Sequence, residues 1–467
     1  MRKRLISNLI MAVPMVVFAQ QQLTLDQCHQ LALKNNYEIK IAREEVQAAE
    51  HNVKSSRTLF LPKFSFTGTY LHNDESIKYR IDEMALPVGN ADGTFRPDQL
   101  TTLTDAAGNL VPYPMNWVHI PSTDLTFGQK DLYLLNLGLV QPLFTGGKIL
   151  QQYKISQSTA KISKAQKWLT DSDVLLQTSE LFWKIVSIEE KVILAESYVA
   201  LIEDHLTILN NYLGEGIITS NELLKAMVRL NEAKMNLLKA QNGRDLAKMA
   251  LCRHLGLPID STIELKTEKM DDYSVIDNQY SGDEFANQRN ELKMLQESVN
   301  ITKSMEQVAL SGYLPNLVLT GNYTTLNPNP YNSLKEEFGG GWNVGLSAQF
   351  DIFSWNERGH KVASARHTRK AAEQKLEDTQ NLIKLDIQQS VYKVNEIVRQ
   401  IRLAESTLSQ AEKNLQITRD NFREGIATST DVLDAQILWQ RANSELIDSN
   451  SEYQINLAKY YKAIGQK

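Results

Sequence analysis

Two copies of one turn carry acids that could do chemistry. Thr219-x-x-Glu222 and Thr428-x-x-Asp431 each follow a Gly-Ile pair, and that spacing lets a threonine hydroxyl and an acid cap the start of a helix. Asp434 lies three residues beyond Asp431 on the same helix face, where capping explains it less easily. Cys28-His29 and Cys252-x-His254 have the atoms of a metal site or a disulfide. They lack the dense ligand spacing of a zinc motif, and two buried free thiols are the expected outcome. Gly146-Gly147 has no phosphate-loop Lys-Ser/Thr after it and is read as a strand-to-helix turn. No Ser/His/Asp set or carboxylate pair can be singled out, so no enzyme activity, no cofactor and no bound metal are expected.

The elements that position these acids begin with a leader. Arg2, Lys3 and Arg4 precede an apolar run from Leu5 to Phe18, with Val17-Phe18-Ala19 as the cleavage pattern, so residues 1–19 are expected to be a signal peptide. The run is too short, and too interrupted by Pro14, for a spanning helix. Its removal takes Lys+Arg from 50 to 47 against 55 Asp+Glu, a formal charge of -8 with no block of like charge. Nucleic acid is therefore not an expected partner.

The mature chain is one unit written twice. Glu215 to Ala226 matches Glu424 to Ala435 at seven of twelve positions, and the register continues to Leu255-Gly256 and Ile464-Gly465. Upstream, "LPKFSFTGTY" at 61 lines up with "LPNLVLTGNY" at 314. The expected repeats are 20–257 and 282–467, joined by a linker at 258–281. Each opens with a helix, 24–60 with a break at Asn35-Asn36 in the first and 283–311 in the second. Strands with alternating polarity follow at about 63–72, 130–141, 315–325 and 341–352. Residues 148–213 and 360–424 contain neither Gly nor Pro, which predicts long helices over about 146–213 and 357–423, each about 100 Å long. The turn ends each one, and helices at 220–255 and 429–464 run back. The first repeat carries an insertion at 71–128, rich in turn signals and expected to be a surface loop.

Four strands of about ten residues have the length of tilted membrane strands. A four-stranded sheet cannot stand alone in a bilayer, because both edges would expose unpaired backbone groups to lipid. Small membrane barrels need about eight strands, so several copies must share one barrel. Phe64, Tyr133, Leu319 and Trp342 are expected to face lipid or its interface, and the hydroxyl and amide faces an aqueous lumen.

The duplicated order of elements, the Leu-Pro before each first strand, "QPLFTGGK" at 141–148 and "GIATSTDVLDAQ" at 425–436 together resemble the TolC-type outer-membrane efflux family. The resemblance covers nearly all of the mature chain. It implies a mainly helical protein with transmembrane β structure: a homotrimer whose twelve-stranded barrel crosses the outer membrane and continues as a long periplasmic α-helical barrel. The implied partners are a periplasmic adaptor, an inner-membrane pump and outer-membrane lipid, with cargo exported unchanged. The implied periplasmic gate is Asp431 and Asp434, with Glu222 at the position equivalent to Asp431. The implied adaptor-docking tips are Gly216, Ile217 and Thr219 in the first repeat and Gly425, Ile426 and Thr428 in the second. Some relatives carry a basic residue two positions after the turn glycine, where this chain has Ala427, so a salt-bridge lock is not expected there. The competing class is a secreted or surface coiled-coil scaffold without a pore.

Overall fold

The computed structural model describes residues 21–75, 77–90, 93–127, 129–267, 273–277, 289–332 and 335–466. The expected signal peptide and residues 283–288, the expected start of the second repeat's first helix, lie outside the described residues. The chain divides into two compact units. One comprises residues up to 56 with 150–309 and 359–467, and the other comprises 57–149 with 310–358.

The first unit is helical. Strand β1 (Gln21–Leu23) leads into α1 (Leu25–Asn35) and α2 (Tyr37–Thr58), which are separated at Asn36. Asn36 ends α1 in an extended conformation, and its side-chain amide donates to the His254 carbonyl at 2.9 Å. Beyond the strands of the second unit come α3 (Lys148–Gly214), α4 (Ser220–His254) and a short strand running Ile263–Leu265, which pairs in parallel with β1. That strand falls in the stretch expected to be a linker; the sequence offered only three residues of alternation there. The helices that follow are α5 (Asn290–Ser311), α6 (Glu357–Arg423) and α7 (Ser429–Ala463).

Both long helices have 67 residues, far beyond what an isolated helix of ordinary composition sustains, and packing on several neighbours holds them. In the first repeat, α1 and α4 meet end to end on α3, where Cys28, Leu251, Leu255, Phe182 and Ile185 form one apolar cluster. In the second repeat, the same stacking brings Leu292 of α5 and Ile464, just past α7, together on Ile383 to Ile401 of α6. The buried Arg289 guanidinium completes this joint by donating to the Ala463 carbonyl at 2.6 Å and pairing with Glu291. It satisfies a helix C-terminus that α7 leaves unpaired.

The helices of the first unit form a row. α6 lies against α7 through that cluster. α7 runs antiparallel to α3, with Lys191 bonded to Asp448 at 2.6 Å and Ser451 donating to the Trp183 carbonyl at 2.9 Å. α3 lies against α4 through Lys234–Glu203 at 2.7 Å and Lys248–Glu189 at 2.6 Å.

The second unit is built on strands. β2 (Lys63–His72) and the strand running Asp131–Phe144 pair antiparallel, and the latter pairs in turn with Asn316–Asn327, which pairs with Gly339–Gln349. The last strand ends at Gln349, so Phe350 to Ile352, expected inside it, lie beyond the ladder. Between β2 and its partner the expected surface loop is instead a ribbon of nested ladders: β3 (Ile77–Ile81), β4 (Met84–Pro87) and β5 (Leu100–Thr104) pair with β8 (Thr123–Phe127), β7 (Trp117–Ile120) and β6 (Leu110–Pro114). The turn signal at 105–110 marks the tip of this ribbon, where the Asp105 carboxylate accepts the N–H groups of Ala107 and Asn109, each at 2.9 Å. In chain order the remaining strands are β9 (Asp131–Phe144), β10 (Ile263–Leu265), β11 (Asn316–Asn327) and β12 (Gly339–Gln349).

Gly256 turns the chain out of α4 at φ +69°, and a Cβ there would stand 2.7 Å from the Asn35 carbonyl oxygen. Gly243, inside α4, has open space around its Cα. Gly256→Ala is expected to destabilise the fold by about 2–4 kcal/mol through the left-handed backbone and the clash. Gly243→Ala is expected to stabilise it by about 0.5–1 kcal/mol through helix propensity. Thermal unfolding followed by helical circular dichroism in detergent checks both signs.

Candidate functional site

The two Gly-Ile turns close in the same way. Gly216 and Gly425 take φ of +72° and +73°. Ile217 N–H donates to the Tyr212 carbonyl at 2.9 Å and Ile426 N–H to that of Asn421 at 2.8 Å, while each glycine N–H reaches the carbonyl three residues back. This is the glycine-terminated helix end in which the last free carbonyls are satisfied. It leaves Ile217 and Ile426 61% and 75% exposed.

The returning helices start differently. At Thr428 the box is complete: the Thr428 N–H and hydroxyl both donate to Asp431 Oδ2, at 2.8 and 2.7 Å, and the Asp431 N–H donates to the hydroxyl at 3.2 Å. Those bonds hold the Asp431 carboxyl below its ordinary value, with the Thr428 hydroxyl the largest cause. At Thr219 the expected box does not form, since the threonine side chain makes no cap bond and Glu222 N–H goes to the Thr219 carbonyl at 3.1 Å. Side-chain length does not explain this, since the equally long Gln27 closes the corresponding box at Thr24. Asp431 and Asp434 are exposed and Glu222 is half-buried.

The sequence did not single out what lies behind these acids. His205 on α3 is 3% exposed and its Nε2 stands 2.9 Å from the hydroxyl of Ser429, the first residue of α7. Burial, aided by the Arg419 charge, lowers His205 to about 4. Its ring packs edge-on to Phe422 at 5.0 Å. Gln436, one helical turn past Asp431–Leu433, is fully buried; it donates to the Leu201 carbonyl at 3.2 Å, and its Oε1 has no hydrogen-bond partner among the described residues. The one available signal was a histidine on the apolar stripe of Ile202, Leu206 and Leu209.

Cys28 and Cys252 are buried, free thiols. Burial pushes Cys28 up to about 12, with Cys252 adding to the effect. At that value the thiol stays protonated, which suits packing and opposes both metal binding and exchange.

In the second unit the ladder assigns every strand residue to a face. Phe64 stands opposite Leu139, Tyr70 opposite Tyr133, Leu319 opposite both Gln141 and Leu346, and Tyr323 opposite Trp342. Directly opposed residues share a face, so Phe64, Tyr133, Leu319 and Trp342 all lie on one apolar side. Phe64 and Trp342 are 68% and 78% exposed, Tyr133 is also exposed and Leu319 is half-buried. At one end of that face Tyr70, Tyr133 and Phe338 form an aromatic cluster with centroids 5.0 and 6.3 Å apart. The other face is polar: Asn322 donates to the Asn343 side chain at 3.2 Å, and Thr324 to that of Asn136 at 2.9 Å.

Comparison with known proteins follows this geometry. A family model described as "Outer membrane efflux protein" matches residues 28–257 and 283–466. Outer membrane protein TolC of Vibrio cholerae is 26% identical over 171 residues, 36% of this chain and 39% of that relative's length. The alkaline protease secretion protein AprF of Pseudomonas aeruginosa is 21% identical over 329 residues, 69% of this chain and 67% of its own. The fold is that of a solved channel, the CmeC outer membrane channel of Campylobacter jejuni: TM-score 0.72 at 18% identity, over 94% of this chain and 85% of that one.

The difference between the two caps is measurable. Thr428→Ala is expected to cost about 1 kcal/mol of local stability at the start of α7 and to speed amide exchange at Thr430 and Asp431. Thr219→Ala is expected to leave exchange at the start of α4 unchanged. Because the folded Asp431 carboxyl is lowered, its contribution is present above the ordinary carboxylate range and is lost as pH falls through the lowered value; wild-type protection at Asp431 is expected to fall only in that acid range.

Proposed function

Because the chain belongs to the outer membrane efflux protein family, we propose that it is the outer-membrane exit duct of a tripartite efflux or type I secretion system, fed by a periplasmic adaptor and an inner-membrane pump. The observation that carries this reading is the sheet with one apolar and one polar face and two open edges. β2 and β12 each pair on one side only among the described residues. In hydrocarbon each unpaired backbone group costs several kcal/mol, so neighbouring copies must complete the ladder. Three copies of this four-stranded sheet supply twelve strands.

The helical row supports the same closure. α4 has one flank on α3, and Leu224, Val228, Met235, Leu238 and Leu246 are exposed on it. At the other end of the row α6 exposes Leu382, Leu385, Tyr392, Leu403 and Ile417. Different apolar flanks at the two ends of one row fit a head-to-tail contact that closes a ring. In this homotrimer Phe64, Tyr133, Leu319 and Trp342 meet outer-membrane lipid and its interface, the polar strand faces line the lumen, and the helices form a periplasmic tunnel.

The tunnel narrows at the two turns. Asp431 and Asp434 from three copies form rings that favour cations, with Glu222 beside them, and capping by Thr428 keeps Asp431 ionised. The exposed Ile217 and Ile426, presented by Gly216 and Gly425 and followed by Thr219 and Thr428, form the surface that the adaptor meets. Cargo passes unmodified, without catalysis.

Single-channel conductance of the purified mature protein in a planar bilayer tests the reading. A small, cation-selective conductance is expected, and Asp431→Asn/Asp434→Asn is expected to raise it or to lose selectivity by several-fold. An unchanged variant reduces the acids to helix caps and leaves the duct standing. Folded protein that forms no channel overturns the duct in favour of a scaffold. For the docking tips, Ile217→Asp/Ile426→Asp is expected to abolish export in cells while leaving bilayer conductance intact.

A further inference from the structure

The seam between the repeats at the turn is held by polar contacts in an otherwise apolar setting. Val199, Ile202, Leu206 and Leu209 of α3, Phe422 of α6, and Val432 and Leu433 of α7 form one buried cluster. Within it lie the contact of His205 with Ser429 at 2.9 Å and the bond of Gln436 to the Leu201 carbonyl at 3.2 Å. Both tie the first repeat's long helix to the second repeat's acid-bearing helix, within its first two turns. The duplication does not account for this: the position equivalent to His205, at the offset of 425 minus 216, is Asn414.

We propose that His205 is the positioning residue of the periplasmic aperture, holding the start of α7 against α3 while it is neutral and releasing it on protonation, so that the duct opens more as pH falls. This rests on the reading that Asp431 and Asp434 line the aperture. A neutral imidazole shares one proton with the Ser429 hydroxyl, in whichever direction the tautomer sets. A second proton would leave a cation in a pocket walled by Phe422, Val432 and Leu433.

Among the described residues the acids of its own helix offer no compensation, since Glu203 is paired with Lys234 and Asp204 is exposed to solvent. α6 presents Arg419, which opposes a second positive charge. On α7 the Asp431 carboxylate is taken up by Thr428 and Asp434 is exposed. α4 contributes Ala226 and Ala233 to the cluster.

Sign and size follow from linkage. His205 stands at about 4 in place and at its ordinary 6.5 once released into water, so the released state binds more protons between those values. The closed state is therefore fully favoured above pH 6.5 and loses ground as pH falls through that window, by about thirty-fold between pH 7.5 and 5.

The experiment is a pH series, from 7.5 to 5, of open probability in planar bilayers, run beside amide exchange of residues 429–436 corrected for intrinsic rates. The wild type is expected to gain open probability by at least tenfold and to lose protection over the same range. His205→Gln is expected to flatten both profiles. Ser429→Ala, which keeps the histidine, is expected to open the aperture and weaken protection already at pH 7.5. A His205→Gln profile that superimposes on the wild type in both readouts overturns the proposal, as does a Ser429→Ala protein identical to wild type at pH 7.5. If Asp431→Asn/Asp434→Asn leaves conductance unchanged while exchange still follows His205, the reading of the acids as the aperture fails and the histidine seam stands.

Discussion

An unpaired backbone N–H or C=O in hydrocarbon has no water to turn to, and that constraint organises this protein. The four-stranded sheet satisfies its two inner strands and leaves β2 and β12 each open on one side among the described residues. Its apolar face, from Phe64 through Tyr133 and Leu319 to Trp342, suits a membrane. Its edges do not, until other copies complete the ladder. The helical row meets the weaker version of the same problem. Its outer flanks, on α4 and α6, carry leucines, methionines and a tyrosine that are exposed in one chain, and burial at about 25 cal/mol per Å² favours covering them. Each surface by itself supports the proposed cyclic assembly.

The long helices, the helices that return from them and the four strands of the sheet come in corresponding pairs along the chain, and their contacts differ. The Gly-Ile turns remain superimposable in φ and hydrogen bonding, because a helix end needs a left-handed residue and glycine alone takes that conformation without strain. The helices that leave them have different surroundings. α7 is packed between α6 and α3 and buries polar groups such as Gln436, Ser449 and Ser451, whereas α4 buries little beyond Ala226, Ala233, Leu251 and Cys252. A helix flanked on both sides within its own chain can accommodate specific polar partners, while α4, flanked on one, keeps an exposed apolar stripe.

Much of this was legible in the sequence for definite reasons. The long helices could be read because Gly and Pro are missing from them, and the strand faces because alternation with period two fixes which side each residue takes. The family followed from the doubled turn. The ribbon at 77–127 was not legible: a two-stranded arm without a core has no burial pattern, and its turn residues look like loop. The pairing of β1 with the three residues Ile263–Leu265 was too short to leave a signature. At the site, spacing identified Asp431 but could not distinguish a formed box from an unformed one at Glu222, since the same Thr-x-x-acid pattern opens both helices. His205 was hidden because its partner, Ser429, is far away in sequence.

Capping and gating are usually weighed as alternatives for an acid at a helix start, but in the proposed duct Asp431 would serve both. The carboxylate accepts from the Thr428 N–H and hydroxyl, and those bonds hold its pKa down. In a ring of like charges each acid would raise its neighbours' pKa and tend to neutralise the ring. In the proposed trimer, three carboxylates each tied to its own cap would resist that tendency. In the proposed duct, the turn that ends α6 and starts α7 would thereby set the electrostatics of the aperture.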